Sequence, residues 1–412
     1  MGNFLSALAL LALLQSAHAD ESAPSPPPAP APTTYALTVS DGKLGGPGSQ
    51  VLRSQLPNAQ FILFGEDHGF ADSPILLRAI AQEARPLGFK YHVVEVGPLS
   101  VQMIRDTLKH AGVDGVHKLV HETPLGIPFL SLKDDLLLAS DFQGQDAKGA
   151  PYLWGVDQEF IGSPPFHLKR LVAIAPNDAA RAAAQKLLDA EIAAAATAAQ
   201  QDFLLVRYTD ADFDALAAQF KGNAEAERII AELKESAAVY QLWMHGKNYE
   251  NNARRARLLA KNFLTAYNAA ADKEPRVVFK MGIEHLTLGT TSINTIDLGT
   301  LATEMARIHG KTALRIAFLP TGGHNLAFRP QPGNPATEQV YKGEEAEEFF
   351  TAIGIDPGTL ARDSWTLVPL EPVRQALDTK GIEKLKPGSR AILIGYDYVI
   401  TTPDAKAGVS LY

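Results

Sequence analysis

An apolar run that stops at two acids and a histidine sets what this chain can become. Residues 61–69 read Phe-Ile-Leu-Phe-Gly-Glu-Asp-His-Gly. The first four describe a strand buried on both faces, and Gly65 and Gly69 permit the tight backbone that ends it. Extended backbone through Asp67 puts Glu66 and His68 on one side, roughly 7 Å apart at Cα. Ser73 and Pro74 then supply an N-cap and first turn for a helix predicted over 74–84. A second strand over 91–96 completes a βαβ unit, which demands parallel strands and a right-handed crossover. A carboxylate and an imidazole therefore sit where α/β sheets place their ligands, at the carboxyl end of a strand.

The pattern recurs along the chain. Apolar strands are predicted over 152–156, 276–280, 313–319 and 391–395, and helices from Pro98 to about 111, over 298–309 and over 344–353. Residues 112–150 read as loop-rich. Between 165 and 271 the pattern is helical throughout: 179–199 is alanine-rich, 224–245 has an amphipathic spacing, and 249–267 carries Arg254, Arg255, Arg257, Lys261 and Asn262. The expected architecture is α/β, a mainly parallel sheet flanked by helices, with a large helical insertion at about 165–271.

The predicted strands end at Glu66 and His68, Glu95, Asp157 and Glu159, Glu284 and His285, His324 and Asp397. In a parallel sheet these ends share one edge, so a common site is expected there. Two chemistries fit. A histidine, His68 or His285, takes a proton from water while carboxylates fix its tautomer, and water attacks an acyl centre. Arg78, pointing inward, would bind a carboxylate or developing oxyanion. Alternatively, two histidines and several carboxylates hold a divalent metal that activates the water. No H-E-x-x-H zinc-protease motif occurs, no G-x-S-x-G elbow occurs, and neither a dinucleotide glycine loop nor a Walker loop is present.

Composition narrows the class. A net charge of −8, with no cluster of Lys and Arg, disfavours nucleic acid as a partner. Without cysteine there are no disulfides, thiolate metal sites or cysteine nucleophile. Residues 4–14 are mostly apolar and precede Ser16-Ala17-His18-Ala19, an A-x-A cleavage site, so 1–19 is expected to be a signal peptide. The leader is too short to span a bilayer, which predicts an exported protein, periplasmic or secreted, with no membrane association after cleavage. Residues 21–34 are mostly Pro, Ala and Ser, a solvated tether. The lead-in up to residue 50 is expected to be irregular, with an edge strand at most, before a domain spanning 51–412.

At this level the residues resemble a known family. Gly65-Glu66-Asp67-His68-Gly69 resembles the G-E-x-x-H-G motif of the erythromycin esterase-like proteins, one residue shorter, and the G-E-x-H form of the related haem-binding ChaN-like proteins. Val93-Val94-Glu95 is similar to the family's second acidic strand end. Arg255 to Asn262 resembles its R-x-x-x-M-x-x-N helix, with leucine for methionine. Lys280 to His285 looks like its later strand, with Glu284 where asparagine is common, and Gly395-Tyr396-Asp397-Tyr398 like its closing strand. The resemblance implies an exported hydrolase acting on an ester or similar bond of a small molecule. His68 would be the base, surrounded by Glu66, Glu95, Arg78 and His285, with Asp157, Glu159, Glu284, His324 and Asp397 in support. No cofactor is required on that reading. The alternative implied by the shorter motif is an envelope protein that binds haem or a divalent metal, and a third is a degenerate member with a structural role.

Overall fold

The computed structural model describes residues 32–123, 125–197, 200–328 and 336–412. The expected signal peptide and most of the tether lie outside the described residues. The strands are β1 (Tyr35–Ser40), β2 (Lys43–Gly45), β3 (Ala59–Glu66), β4 (Phe89–Val94), β5 (Leu153–Gly155), β6 (Arg276–Gly282), β7 (Thr312–Phe318), β8 (Gly323–Phe328), β9 (Ala336–Tyr341), β10 (Trp365–Pro369) and β11 (Tyr398–Thr401). Nine of them form one sheet in the order β2-β1-β10-β11-β7-β3-β6-β4-β5. From β11 to β5 the pairings are parallel, and β10, β1 and β2 extend that edge antiparallel. The α/β fold with a mainly parallel sheet is thus observed.

β3 is central, and every one of its eight residues is buried. Its side chains alternate between two cores, as strand geometry requires. Phe61 and Leu63 face one core, where the Phe61 ring meets Phe263 edge-on at 6.1 Å. Ile62 and Phe64 face the other, against Leu76, Leu77 and Ile80 of the helix Asp72–Ala84. Gly65 has a packing reason: a Cβ there would meet the Tyr396 hydroxyl and the Ile283 backbone.

Between β5 and β6 the regular elements among the described residues are all helices, with long segments Asp178–Thr197, Ala224–Met244 and Asn248–Ala269. Leu187, Phe213, Phe220 and Leu233 give this insertion a core of its own. The last of these helices also packs Phe263 and Tyr267 against the sheet, which fixes the insertion to the strand ends.

Four local expectations are corrected. The lead-in over 35–51 is ordered: β1 and β2 pair at the sheet edge, and a helix Pro47–Gln55 follows. Residues 112–150, expected to be loop-rich, are about half helical, because the helix Pro98–Glu122 continues through a kink at Gly112, where φ is 66°, and Lys133–Ser140 is helical. Ser73 does not cap its helix, which starts at Asp72; its hydroxyl donates to Glu66 instead. The apolar run 391–395 is helical, within Pro387–Gly395, since Pro387 at the first turn favours a helix start. The last strand is β11, so Asp397 stands at its beginning, on the far edge of the sheet.

Candidate active site

The site assembles where β3, β4 and β6 end side by side. Glu66 is the last residue of β3, Glu95 follows β4, and β6 ends at Gly282 before the short helix Ile283–Leu286 that carries His285. His68 Nδ1 lies 3.1 Å from Glu66 Oε1, the same-side placement that extended backbone predicts. His68 Nε2 lies 3.5 Å from Glu95 Oε2, and His285 Nε2 lies 3.5 Å from Glu95 Oε1. One carboxylate therefore bridges two imidazoles contributed by residues far apart in sequence.

Glu95 is held by stronger contacts than these. The Gly282 N–H donates to Oε2 at 2.6 Å, and Arg255 Nη2 donates to Oε1 at 2.6 Å. Arg255, on the helix Asn248–Ala269, also forks onto Asp157 at 2.9 and 2.6 Å. About two helical turns along the same face, Asn262 donates to the Val156 carbonyl at 3.0 Å and locks that helix to the end of β5. On the other side, buried Lys280 pairs with Glu66 and, at 2.7 Å, with Asp135. His285 Nδ1 lies 2.7 Å from Asp297, whose other oxygen accepts the first N–H of the helix Leu298–Ile308.

Charge explains the protonation states. Glu66, Glu95, Asp135, Asp157 and Asp297 face only two permanent cations, Lys280 and Arg255. The excess negative charge falls on the imidazoles. Burial and the Arg255 charge work against a proton on His285, but Glu95 and Asp297 outweigh them and push it up to about 9. Burial likewise opposes a charged His68, and Glu95 with Glu66 still raises it above the ordinary range. Glu95 is depressed well below the usual carboxylate range: burial opposes its charge, and His285, His68 and Arg255 overcome that. Burial pushes Asp135 up to about 6 despite Lys280.

Of the two imidazoles and the carboxylates they contact, His68 is the one that meets solvent, with 30% of its side chain exposed against 8% for His285, 2% for Glu66 and 5% for Glu95. The Phe129 ring stacks on its imidazole at 4.0 Å. Phe129 holds a φ of 47°, a left-handed conformation that costs a bulky residue about 1–3 kcal/mol and persists only where surroundings enforce it. A void of about 10 Å³ beside Glu66, Glu95 and Phe129 is the size of one water.

The donors do not fit a resident metal ion. Glu66 is engaged by Lys280, Ser73 and His68, and Glu95 by Arg255 and the Gly282 N–H. Among the described residues no group of three His, Asp or Glu is disposed to hold a cation.

Of the residues expected at the site, Glu66, His68, Glu95, His285 and Asp157 come together. Arg78 does not: its guanidinium forks onto Asp141 at 2.6 and 2.9 Å, and the inward cation is Arg255. Glu159 is buried nearby but committed elsewhere, accepting from Ser100 and the Leu99 N–H and lying 2.9 Å from His167. Glu284 turns to Ser292. His324 is exposed near the start of β8, pairs with Val340 across the β8–β9 hairpin and donates its backbone N–H to the Ala405 carbonyl, away from the site. Asp397 binds Arg315 at the opposite edge.

Sequence reasoning missed Lys280, Asp135, Asp297, Phe129 and the role of Arg255. Lys280 had a signal, a lone lysine inside Val277-Val278-Phe279-Lys280-Met281. Asp297 had a weaker one, an acid before a predicted helix. Asp135 and Phe129 had none.

Neither a family model nor a curated protein matches the chain. Solved structures do. A histidine-to-asparagine mutant of erythromycin esterase in its open conformation matches 91% of this chain and 98% of its own, with TM-score 0.56 and 13% identity. A succinoglycan biosynthesis protein matches over 92% and 96%, with TM-score 0.54 and 10% identity. A Bacillus cereus protein matches over 88% and 92%, with TM-score 0.51 and 10% identity. At these identities the likeness is one of fold: the chain has an erythromycin esterase-like fold along its described length.

Proposed function

We propose, with the erythromycin esterase-like fold as premise, that this chain is an exported hydrolase that activates water against an ester or similar acyl bond of a small molecule. The observation that carries the reading is the pair of imidazoles, His68 and His285, on one carboxylate, with only His68 open to solvent. Glu66 receives the Nδ1–H of His68, which leaves Nε2 to accept a proton from water. The 3.5 Å contact between Nε2 and Glu95 is longer than a good hydrogen bond, and a water drawn in beside it replaces that contact.

His285 takes the complementary part. With a pKa near 9 it is an imidazolium at neutral pH, and with Arg255 it supplies positive charge where an oxyanion develops. Environments that separate two similar groups in this way assign base and acid.

The test is hydrolysis of p-nitrophenyl acetate by the purified chain and by His68→Gln. Turnover that falls at least about 100-fold in the variant, at an unchanged melting temperature, supports His68 as the base. A variant that retains full activity removes it from that role.

A further inference from the structure

Two of the large side chains exposed on this protein, Trp243 and Tyr249, border one cleft. Trp243 (48% exposed) and Tyr249 (63%) flank the turn between two helices of the insertion, Ala224–Met244 and Asn248–Ala269. Between them lies a cleft of about 460 Å³, bordered by Trp243, Tyr249 and Ile293 together with the amides of Asn248, Asn252 and Asn294. That volume is in the range, roughly 300–1,000 Å³, of pockets that hold small molecules.

Both walls belong to elements that also carry residues of the reaction centre. Asn251 and Asn252 precede Arg255 by four and three residues on the same helix, and so share its face one turn further out. Ile293, Asn294 and Ile296 belong to the loop that joins His285 to its partner Asp297. A molecule seated in the cleft is therefore held by the same two elements that hold the imidazolium and the guanidinium.

The lining describes the occupant. It contains no charged residue, in a protein whose reaction centre is built from charges. Trp243 and Tyr249 offer ring faces to an apolar surface. The side-chain amides of Asn248, Asn252 and Asn294 make no hydrogen bond within the described residues, so each has donors and an acceptor free. Aromatic faces with uncommitted amides and no charge suit a neutral, polyhydroxylated ring, whose C–H face stacks while its hydroxyls take both donors and acceptors. We infer that this cleft is the substrate-binding subsite and that it takes a neutral saccharide carrying an acyl ester. This rests on the hydrolase reading above. Water adds to the acyl carbon as His68 takes its proton, the ester C–O bond breaks, and the sugar oxygen leaves with a proton as the alcohol, releasing the carboxylic acid.

Two measurements separate the subsite from the chemistry. Steady-state hydrolysis of methyl 6-O-acetyl-β-D-glucopyranoside and of p-nitrophenyl acetate is compared for the wild type, Trp243→Ala and Asn252→Ala. The subsite predicts KM for the sugar ester raised about tenfold or more in both variants, with kcat and the p-nitrophenyl acetate rate unchanged. Binding of cellobiose is followed separately by tryptophan fluorescence, since Trp243 is the exposed one of the three tryptophans and Trp154 is buried. Quenching by cellobiose in the wild type and in His68→Gln, lost in Trp243→Phe, supports the subsite even where no ester is turned over, which would sink the hydrolase reading alone. Turnover of p-nitrophenyl acetate with neither cellobiose binding nor a selective KM effect overturns the subsite and leaves the hydrolase reading standing.

Discussion

A lysine sealed between two carboxylates is the most consequential single residue outside the imidazole pair. Lys280 is 7% exposed and meets Glu66 and Asp135, both nearly buried, and those carboxylates hold its proton more tightly than usual although burial opposes the charge. Replacing it with Met leaves Glu66 buried without its cation. Breaking a buried pair in this way costs about 3–5 kcal/mol, so Lys280→Met is expected to lower the denaturant midpoint sharply, and Lys280→Met with Asp135→Asn to lower it less. A midpoint unchanged in the single variant would show that Glu66 is not charged in the folded protein. His285 gives a second expectation. Its folded pKa of about 9 exceeds the ordinary histidine value near 6.5, so its stabilising share is complete below pH 6.5 and is lost as the pH rises through 9. Thermal melts between those limits should fall with pH in the wild type and change less in His285→Gln.

At the level of elements, the site depends on how closely β6 passes its neighbours. Gly282 ends that strand with an ordinary φ of −52°, so its importance is spatial. A Cβ there would lie 3.2 Å from His68 Nε2, 3.4 Å from Glu95 Oε2 and 3.6 Å from His285. Gly282→Ala should therefore fold with a melting temperature close to that of the wild type and still hydrolyse p-nitrophenyl acetate at least tenfold more slowly, because the methyl group fills the space between the imidazoles where water must sit. Wild-type turnover in that variant would place the reaction elsewhere. Phe129, between the helices Pro98–Glu122 and Lys133–Ser140, shows the same economy of placement, for it stacks on His68 from a left-handed backbone.

Across the whole molecule, legibility followed periodicity. β3, β4, β5, β6 and β7 are short apolar runs with polar ends, and a parallel sheet turns such runs into a row of site positions, so Glu66, His68, Glu95 and His285 could be placed from sequence. Asp397 and Arg78 could not be placed correctly. Asp397 follows an apolar run that reads equally as strand or helix over 391–395, and the helix reverses the edge on which the aspartate appears. Arg78 sits near the site in sequence, but Asp141, from a stretch without periodic signal, draws it away. The roles of Lys280, Asp135 and Asp297 were not legible for a different reason: a buried charge is defined by partners that only the folded chain brings near. The same holds for the cleft at Trp243, whose walls come from elements about 50 residues apart.

The central claim is that His68 and His285 share Glu95 and divide base from acid between them. Long-range proton–nitrogen NMR of the imidazoles over pH 5–10, assigned with His68→Gln and His285→Gln, reads this without any substrate. The account predicts His285 as an imidazolium until about pH 9 and His68 titrating above 6.5 with its proton on Nδ1 once neutral. Both rings titrating independently at or below 6.5 would contradict it.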